Sequence, residues 1–141
     1  MTARTETWLA ALQAEGGRLT APRRAVVEIM ATTDRLLDPQ LVYDLARHRR
    51  PTIGLVTVYR TLERLEQLGL IERVHTPSGC HAFVRAGRGQ DHLLLCQACG
   101  RVERFSGDDL NDLKQAIAER TGYVIREHWL QLYGVCRACQ V

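Results

Sequence analysis

Four of the five cysteines in this 141-residue chain fall into two pairs of one form, Cys96-Gln97-Ala98-Cys99 and Cys136-Arg137-Ala138-Cys139. A two-residue gap lets both thiolates of a pair point at one ion. Two such pairs complete a tetrahedral Zn²⁺ shell with no open position. A closed site of that kind does no chemistry of its own; it ties together the segments that carry it. Two disulfides are the competing use. The chain opens Met1-Thr2-Ala3-Arg4-Thr5-Glu6, unlike a signal peptide, and no run approaches the roughly 18 apolar residues of a membrane span. Those features point to the cytoplasm, where thiols stay reduced. A thioredoxin-like redox pair would want one such motif beside a βαβ pattern, which the sequence lacks. The spacing therefore favours structural zinc, one ion per chain.

The elements that must position these cysteines come second to a different module. A chain of 141 residues makes one ordinary domain or two small ones. Two small lobes would each be marginal, which gives zinc a purpose in the C-terminal one. The net charge of +3 is too weak to argue for nucleic acid by itself, so basicity has to be judged locally.

The first eighty residues read as helices followed by a hairpin. Trp8, Leu9 and Leu12 share one face of a first helix that ends at Glu15-Gly16-Gly17. Thr20 caps a second, with Pro22 in its first turn and Val26, Ile29 and Met30 as its buried stripe. Asp38-Pro39 starts a third, continued by Leu41, Val42 and Leu45 and stopped by Pro51 after a basic last turn. A fourth runs from about Leu55 to Gln67 and stops at Gly69. Val58, Leu62 and Leu65 occupy one side of it; Thr57, Arg60, Thr61 and Arg64 occupy the other at i, i+3, i+4, i+7. Most such faces are simply solvated. This one combines short hydroxyls with arginines, the composition of a helix laid in a DNA major groove. Leu70 to Val74 and His81 to Val84, joined by Thr76-Pro77-Ser78-Gly79, read as a hairpin, and helices followed by a hairpin are the order of a winged helix.

Arg85 to Gln90 has the composition of a hinge. Beyond it, His92 to Cys96 and Arg101 to Phe105 read as strands around the first cysteine pair. Ser106 with Asp109 reads as a capping box for a helix whose apolar side is Leu110, Leu113, Ala116 and Ile117. Tyr123 to Tyr133 reads as a long strand leading to the second pair. A free edge on so small a sheet invites pairing with a second copy, and a homodimer is what a reader of two DNA half-sites needs. The expected class is α+β: a winged-helix DNA-binding domain at 1–84, a hinge at 85–90, and a small α/β dimerisation domain with the zinc site at 91–141.

At Leu55-Val56-Thr57-Val58-Tyr59-Arg60-Thr61-Leu62, followed by Leu68-Gly69-Leu70-Ile71, the chain resembles the ferric-uptake-regulator family. Leu19-Thr20-Ala21-Pro22-Arg23, Tyr43-Asp44-Leu45, Asp91-His92, Cys96 to Gly100, Leu132-Tyr133-Gly134 and Cys136/Cys139 extend the resemblance over essentially the whole chain. It implies a dimeric, metal-responsive repressor acting on an operator of double-stranded DNA. It also implies that Tyr59 and Arg60 touch DNA, and that Arg18 holds the position of a basic residue reaching the minor groove.

The resemblance further implies a regulatory divalent ion (Zn²⁺, Fe²⁺ or Mn²⁺) at the hinge, and here the chain departs from the pattern. The His/Asp-rich run of relatives shrinks to Gln90-Asp91-His92. A histidine that relatives supply before the third helix is replaced by Leu36 or Leu37, and a cysteine typical of zinc-uptake regulators is replaced by Ala86. Glu72, His75, Cys80, His81, Asp91, His92, Glu103 and His128 remain nearby. Cys80 and His81 are strand neighbours facing opposite ways, so one at most joins Asp91 and His92. His81 with Asp91 and His92 is the favoured ligand set, a histidine–carboxylate mixture that suits all three metals. His75 is read as a surface residue. His128 matches a further ligand position in relatives, although its carboxylate partner is Asn111 here, leaving water or Asp108 as a substitute.

No phosphate loop, nucleophile–base pair or open three-ligand zinc motif suggests an enzyme or a small-molecule substrate. The competing readings are a thiol- or peroxide-responsive regulator, motivated by Cys80 and its neighbour Arg85, and a metal-independent DNA-binding repressor that keeps only the structural zinc.

Overall fold

The computed structural model describes residues 2–87, 92–106 and 110–140. They pack as two compact units, Met1–Ala86 and Gly87–Val141. Residues 88–90 of the expected hinge, Asp91, and Asp108 and Asp109 lie outside the described residues.

The first unit is built from α1 (Ala3–Ala14), α2 (Ala21–Thr32), α3 (Pro39–Arg49), α4 (Leu55–Gln67), β1 (Ile71–His75) and β2 (His81–Arg85). Local chemistry sets its boundaries. The hydroxyls of Thr2 and Thr20 and the carboxylate of Asp38 accept from the backbone N–H three residues on, at Thr5, Arg23 and Leu41, at the starts of α1, α2 and α3. At the end of α4, Gly69 turns left-handed at φ +72°. The Gly69 N–H then donates to the Glu66 carbonyl and the Leu70 N–H to the Leu65 carbonyl, a Schellman closure. Trp8, Leu9, Leu12, Val26, Val27, Met30, Val42, Val58, Leu62 and Leu65 form one core.

Two expectations change here. On α3, Leu41 and Leu45 are 42% and 39% exposed, and Val42 with the small Ala46 faces the core instead. On α4, Thr61 is buried and donates its hydroxyl to the Thr57 carbonyl at 2.7 Å, so it belongs to the inner side. β1 and β2 pair antiparallel from Ile71↔Arg85 to His75↔His81. Leu37, between α2 and α3, adds a backbone bridge to Phe83 that the sequence pattern did not suggest.

The second unit holds β3 (His92–Cys96), β4 (Val102–Phe105), α5 (Asn111–Thr121), β5 (Gln131–Gly134) and a 3₁₀ turn (Arg137–Cys139). The sheet order is β4-β3-β5, with β4 antiparallel and β5 parallel to the central strand. Leu93 and Leu95 are buried; Leu94 points outward. The helix begins at Asn111 after Leu110 with no side-chain cap, so Ser106 does not start it. The long strand from Tyr123 shortens to β5: among the described residues only 131–134 form a ladder, because β3 is five residues long and its other edge carries β4. No residue of α5 is buried: on its apolar side Leu113 is exposed and Ile117 is half-buried.

Candidate metal centre and nucleic-acid interface

The parallel pairing of β3 and β5 brings the two cysteine pairs together. Cys96 ends β3, and the turn that follows it closes through Gly100 N–H to the Cys96 carbonyl, with Gly100 at φ +75°. Cys136 follows β5 and Cys139 ends the 3₁₀ turn, whose N–H donates back to the Cys136 carbonyl. Gln97 N–H donates to the Gly134 carbonyl at 2.8 Å and locks the two loops side by side. The four sulfurs lie within 4.8 Å of one another, the one group of three or more metal-ligand residues among the described residues.

Zn–S bonds of about 2.3 Å at tetrahedral angles put sulfurs about 3.8 Å apart. Cys99 and Cys136 Sγ are 3.8 Å apart, and none of the cysteines is in a disulfide. The geometry and the all-thiolate donor set fit a closed structural zinc.

Proton chemistry agrees with a cluster that wants a cation. Backbone N–H groups, first that of Cys136 donating to Cys96 Sγ at 3.3 Å, lower the Cys96 thiol to about 6. Hydrogen bonding to the neighbouring sulfurs, Cys136 first and then Cys99, favours the protonated thiol of Cys139 and raises it to about 12, with burial and repulsion from the Cys136 charge adding to the effect. A dication at the centre reverses that repulsion and takes all four as thiolates.

The histidines of the expected regulatory set fall in separate units. His92 is buried in the second unit, its ring 5.1 Å from that of His128 and 5.3 Å from that of Phe105. His128 reaches it because the Leu93↔Gln131 register lays the segment before β5 beside the start of β3. His81 stands in the first unit opposite His75, with ring centroids 4.7 Å apart, and both residues are exposed. Cys80 is exposed beside them. Asp91 lies outside the described residues, so the described neighbour of His92 is His128 and that of His81 is His75.

On α4, Tyr59 is 52% exposed and Arg60 is exposed beside it; Thr57 is half-buried. Arg64 is held in place: it donates to the Glu15 carbonyl at 3.1 Å and to Gln67 Oε1, with the Glu15 carboxylate 4.0 Å away. Arg18, Arg23, Arg60 and Arg64 converge on one groove of about 430 Å³ between the end of α1, the start of α2 and α4. Arg23 is the member that helix periodicity missed. Its Nη1 donates to the Arg18 carbonyl at 3.0 Å, which fixes both residues at the groove. Its only sequence signal is its place just inside a capped helix start, where a cation opposes the helix dipole unless an anion is present. Four guanidiniums at one concavity, whose lining among the described residues includes no carboxylate, suit a phosphate backbone.

The fold has counterparts among known proteins. The ferric uptake regulator family model matches residues 14–133. A ferric uptake regulation protein of Cupriavidus metallidurans is 41% identical over 123 residues, covering 86% of this chain and 85% of that protein. A solved zinc-bound manganese uptake regulator superposes with a TM-score of 0.72 at 26% identity, covering 92% of this chain and 98% of that one. The Vibrio cholerae ferric uptake regulator superposes at 0.67 with 29% identity, covering 90% and 98%. The chain belongs to the ferric uptake regulator family.

Proposed function

We propose that the protein is a metal-responsive, DNA-binding transcriptional repressor that works as a homodimer in the cytoplasm, a regulator rather than an enzyme. The observation that carries this reading is the arginine groove beside the exposed face of α4. Duplex DNA offers one negative charge per about 1.7 Å of axis, and a basic groove flanking a recognition helix is how phosphates are used to seat that helix. In this reading α4 enters the major groove. Tyr59 and Arg60 meet base edges, Thr57 and Arg18 meet the backbone or minor groove, and Arg64 braces α4 against α1 at the edge of the interface. The segments 1–84, 85–90 and 91–141 serve as DNA-binding domain, hinge and dimerisation domain. The exposed Leu113 of α5 and the exposed Tyr123, Val124 and Trp129 support a second copy as the covering partner.

The names of the relatives, ferric uptake regulation protein and zinc-bound manganese uptake regulator, support metal sensing. The proposed sensor is a divalent ion (Zn²⁺, Fe²⁺ or Mn²⁺) held by His92, with His128 added to the Asp91 and His81 already favoured. For a hundredfold rise in DNA affinity the ion must prefer the DNA-competent form by about 2.7 kcal/mol, within reach of a few-ligand site. A metal-independent repressor is the second reading. It is favoured by the departure at Leu36 or Leu37, where the family resemblance implies a histidine; Leu37 is buried, 5% exposed and bridged to Phe83.

The test is metal content measured beside operator affinity, on protein purified without oxygen, dialysed against a chelator, and titrated with Zn²⁺, Mn²⁺ and Fe²⁺. One chelator-resistant zinc per chain plus one further ion that restores binding supports sensing and identifies the metal. Full binding with the tight zinc alone means a metal-independent repressor. Loss of binding only after peroxide means an oxidation-responsive one.

A further inference from the structure

We propose that the wing hairpin carries a surface site for an imidazole-seeking transition-metal ion, made by His75 and His81 and separate from the cysteine centre; of the two, only His81 also belongs to the ligand set proposed for a regulatory ion. The two residues are register partners at the turn end of the β1–β2 ladder. Beyond them Thr76 N–H donates to the Cys80 carbonyl at 2.9 Å. Antiparallel pairs alternate, so the next pair, His75 and His81, is of the non-hydrogen-bonded kind, whose side chains approach most closely. The imidazoles accordingly meet edge to face, 4.7 Å between centroids and 62° between planes. Small ring rotations aim one nitrogen of each at a shared ion with bonds of about 2.0–2.1 Å.

The backbone beneath is already set. Thr76 Oγ1 lies 3.0 Å from the Cys80 carbonyl and 2.8 Å from Ser78 Oγ, and Gly79 turns at φ +84° with its N–H on the Thr76 carbonyl. The nearest cation on the same ribbon face, Arg73, does not oppose an incoming ion. Its guanidinium is paired with both Glu66 oxygens at 2.9 and 3.1 Å and lies over the Phe83 ring. Cys80 does not complete a three-ligand group with the two histidines. Water fills the remaining positions, and the donor set suits Ni²⁺, Cu²⁺ or Zn²⁺. An ion there cross-links the two strands next to the turn and stiffens the wing.

The experiment is calorimetric titration of the full chain, its cysteine-bound zinc in place and assayed throughout, with Ni²⁺. His75→Ala and His81→Ala should each bind one Ni²⁺ fewer than the parent chain, or bind it about tenfold or more weakly, with unchanged thermal unfolding. Cys80→Ser should keep the ion. Unchanged nickel stoichiometry and affinity in either histidine variant overturns the site, and loss of the ion in Cys80→Ser overturns the two-imidazole assignment. His75 belongs to this site alone, so unchanged nickel binding in His75→Ala overturns the site and leaves the regulatory reading standing, whereas loss of metal-restored operator binding in His92→Ala bears on the regulatory reading alone.

Discussion

Arg60 and Arg23 both face the same groove, yet physics assigns them different roles. Arg60 is exposed on the outer side of α4 beside Tyr59, and in the proposed reading it meets base edges. Arg60→Ala should cost about 1–3 kcal/mol of operator affinity and relax preference at one base position. Fluorescence anisotropy against a set of single-base operator variants checks this, and an unchanged preference would refute it. Arg23 is anchored to the Arg18 carbonyl at a helix start, a position for a phosphate. Arg23→Ala should weaken all sequences alike and reduce the salt slope of log affinity by about one. At the cysteine centre the sign of the pH effect follows from proton competition. Cys139 holds its proton up to about 12, and Cys96 is mostly ionised above about 6. Zinc uptake at neutral pH therefore releases protons, Cys139's among them. Zinc affinity should rise with pH and fall steeply below about 6, where Cys96 also takes a proton. Zinc competition with a colorimetric chelator between pH 5 and 9 reads it out.

At the scale of elements, the recognition helix depends on its stop. Gly69 sits at φ +72° with open space where a Cβ would project, so the strain of replacing it is conformational alone. Gly69→Ala should destabilise the first unit by about 1–2 kcal/mol, visible as a lower urea midpoint, while an operator titration of the folded protein stays close to the parent. The second unit has a thinner reserve: a three-stranded sheet, a helix with no buried residue, and a four-cysteine cluster at one end. Cys96→Ser breaks the thiolate shell at its buried member and should cost the chain its tight zinc and its assembly while the helical signal of the first unit persists. A stable dimer with normal zinc content would count against the structural role.

For the whole molecule, the exposed apolar surface is concentrated in the second unit. Leu113, Tyr123, Val124 and Trp129 are 57%, 74%, 83% and 60% exposed. Surface of that character needs a cover, and a second copy is the one the half-site argument asks for. Val124→Asp should shift sedimentation toward the monomer and lower operator affinity together. A monomer that still binds the full operator with parental affinity would contradict the dimeric reading. No helix among the described residues is long and apolar enough to cross a membrane.

Local signals settled what could be read from order alone. Caps at Thr20 and Asp38, the glycine stop at Gly69, the apolar side of α4 at Val58, Leu62 and Leu65 and the spacing of the four cysteines each involve residues close in the chain, so types and intervals suffice. The tertiary structure decided what depends on distant segments meeting. The parallel register of β5 on β3 paired His92 with His128, and the hairpin register paired His81 with His75. Packing between α2, α3 and α4 chose Ala46 over Leu45 for the core and buried Thr61. The convergence of α1, α2 and α4 drew Arg23 into the groove. Sequence intervals report neighbours along a helix or strand; they carry no record of which face meets which partner until the core forms.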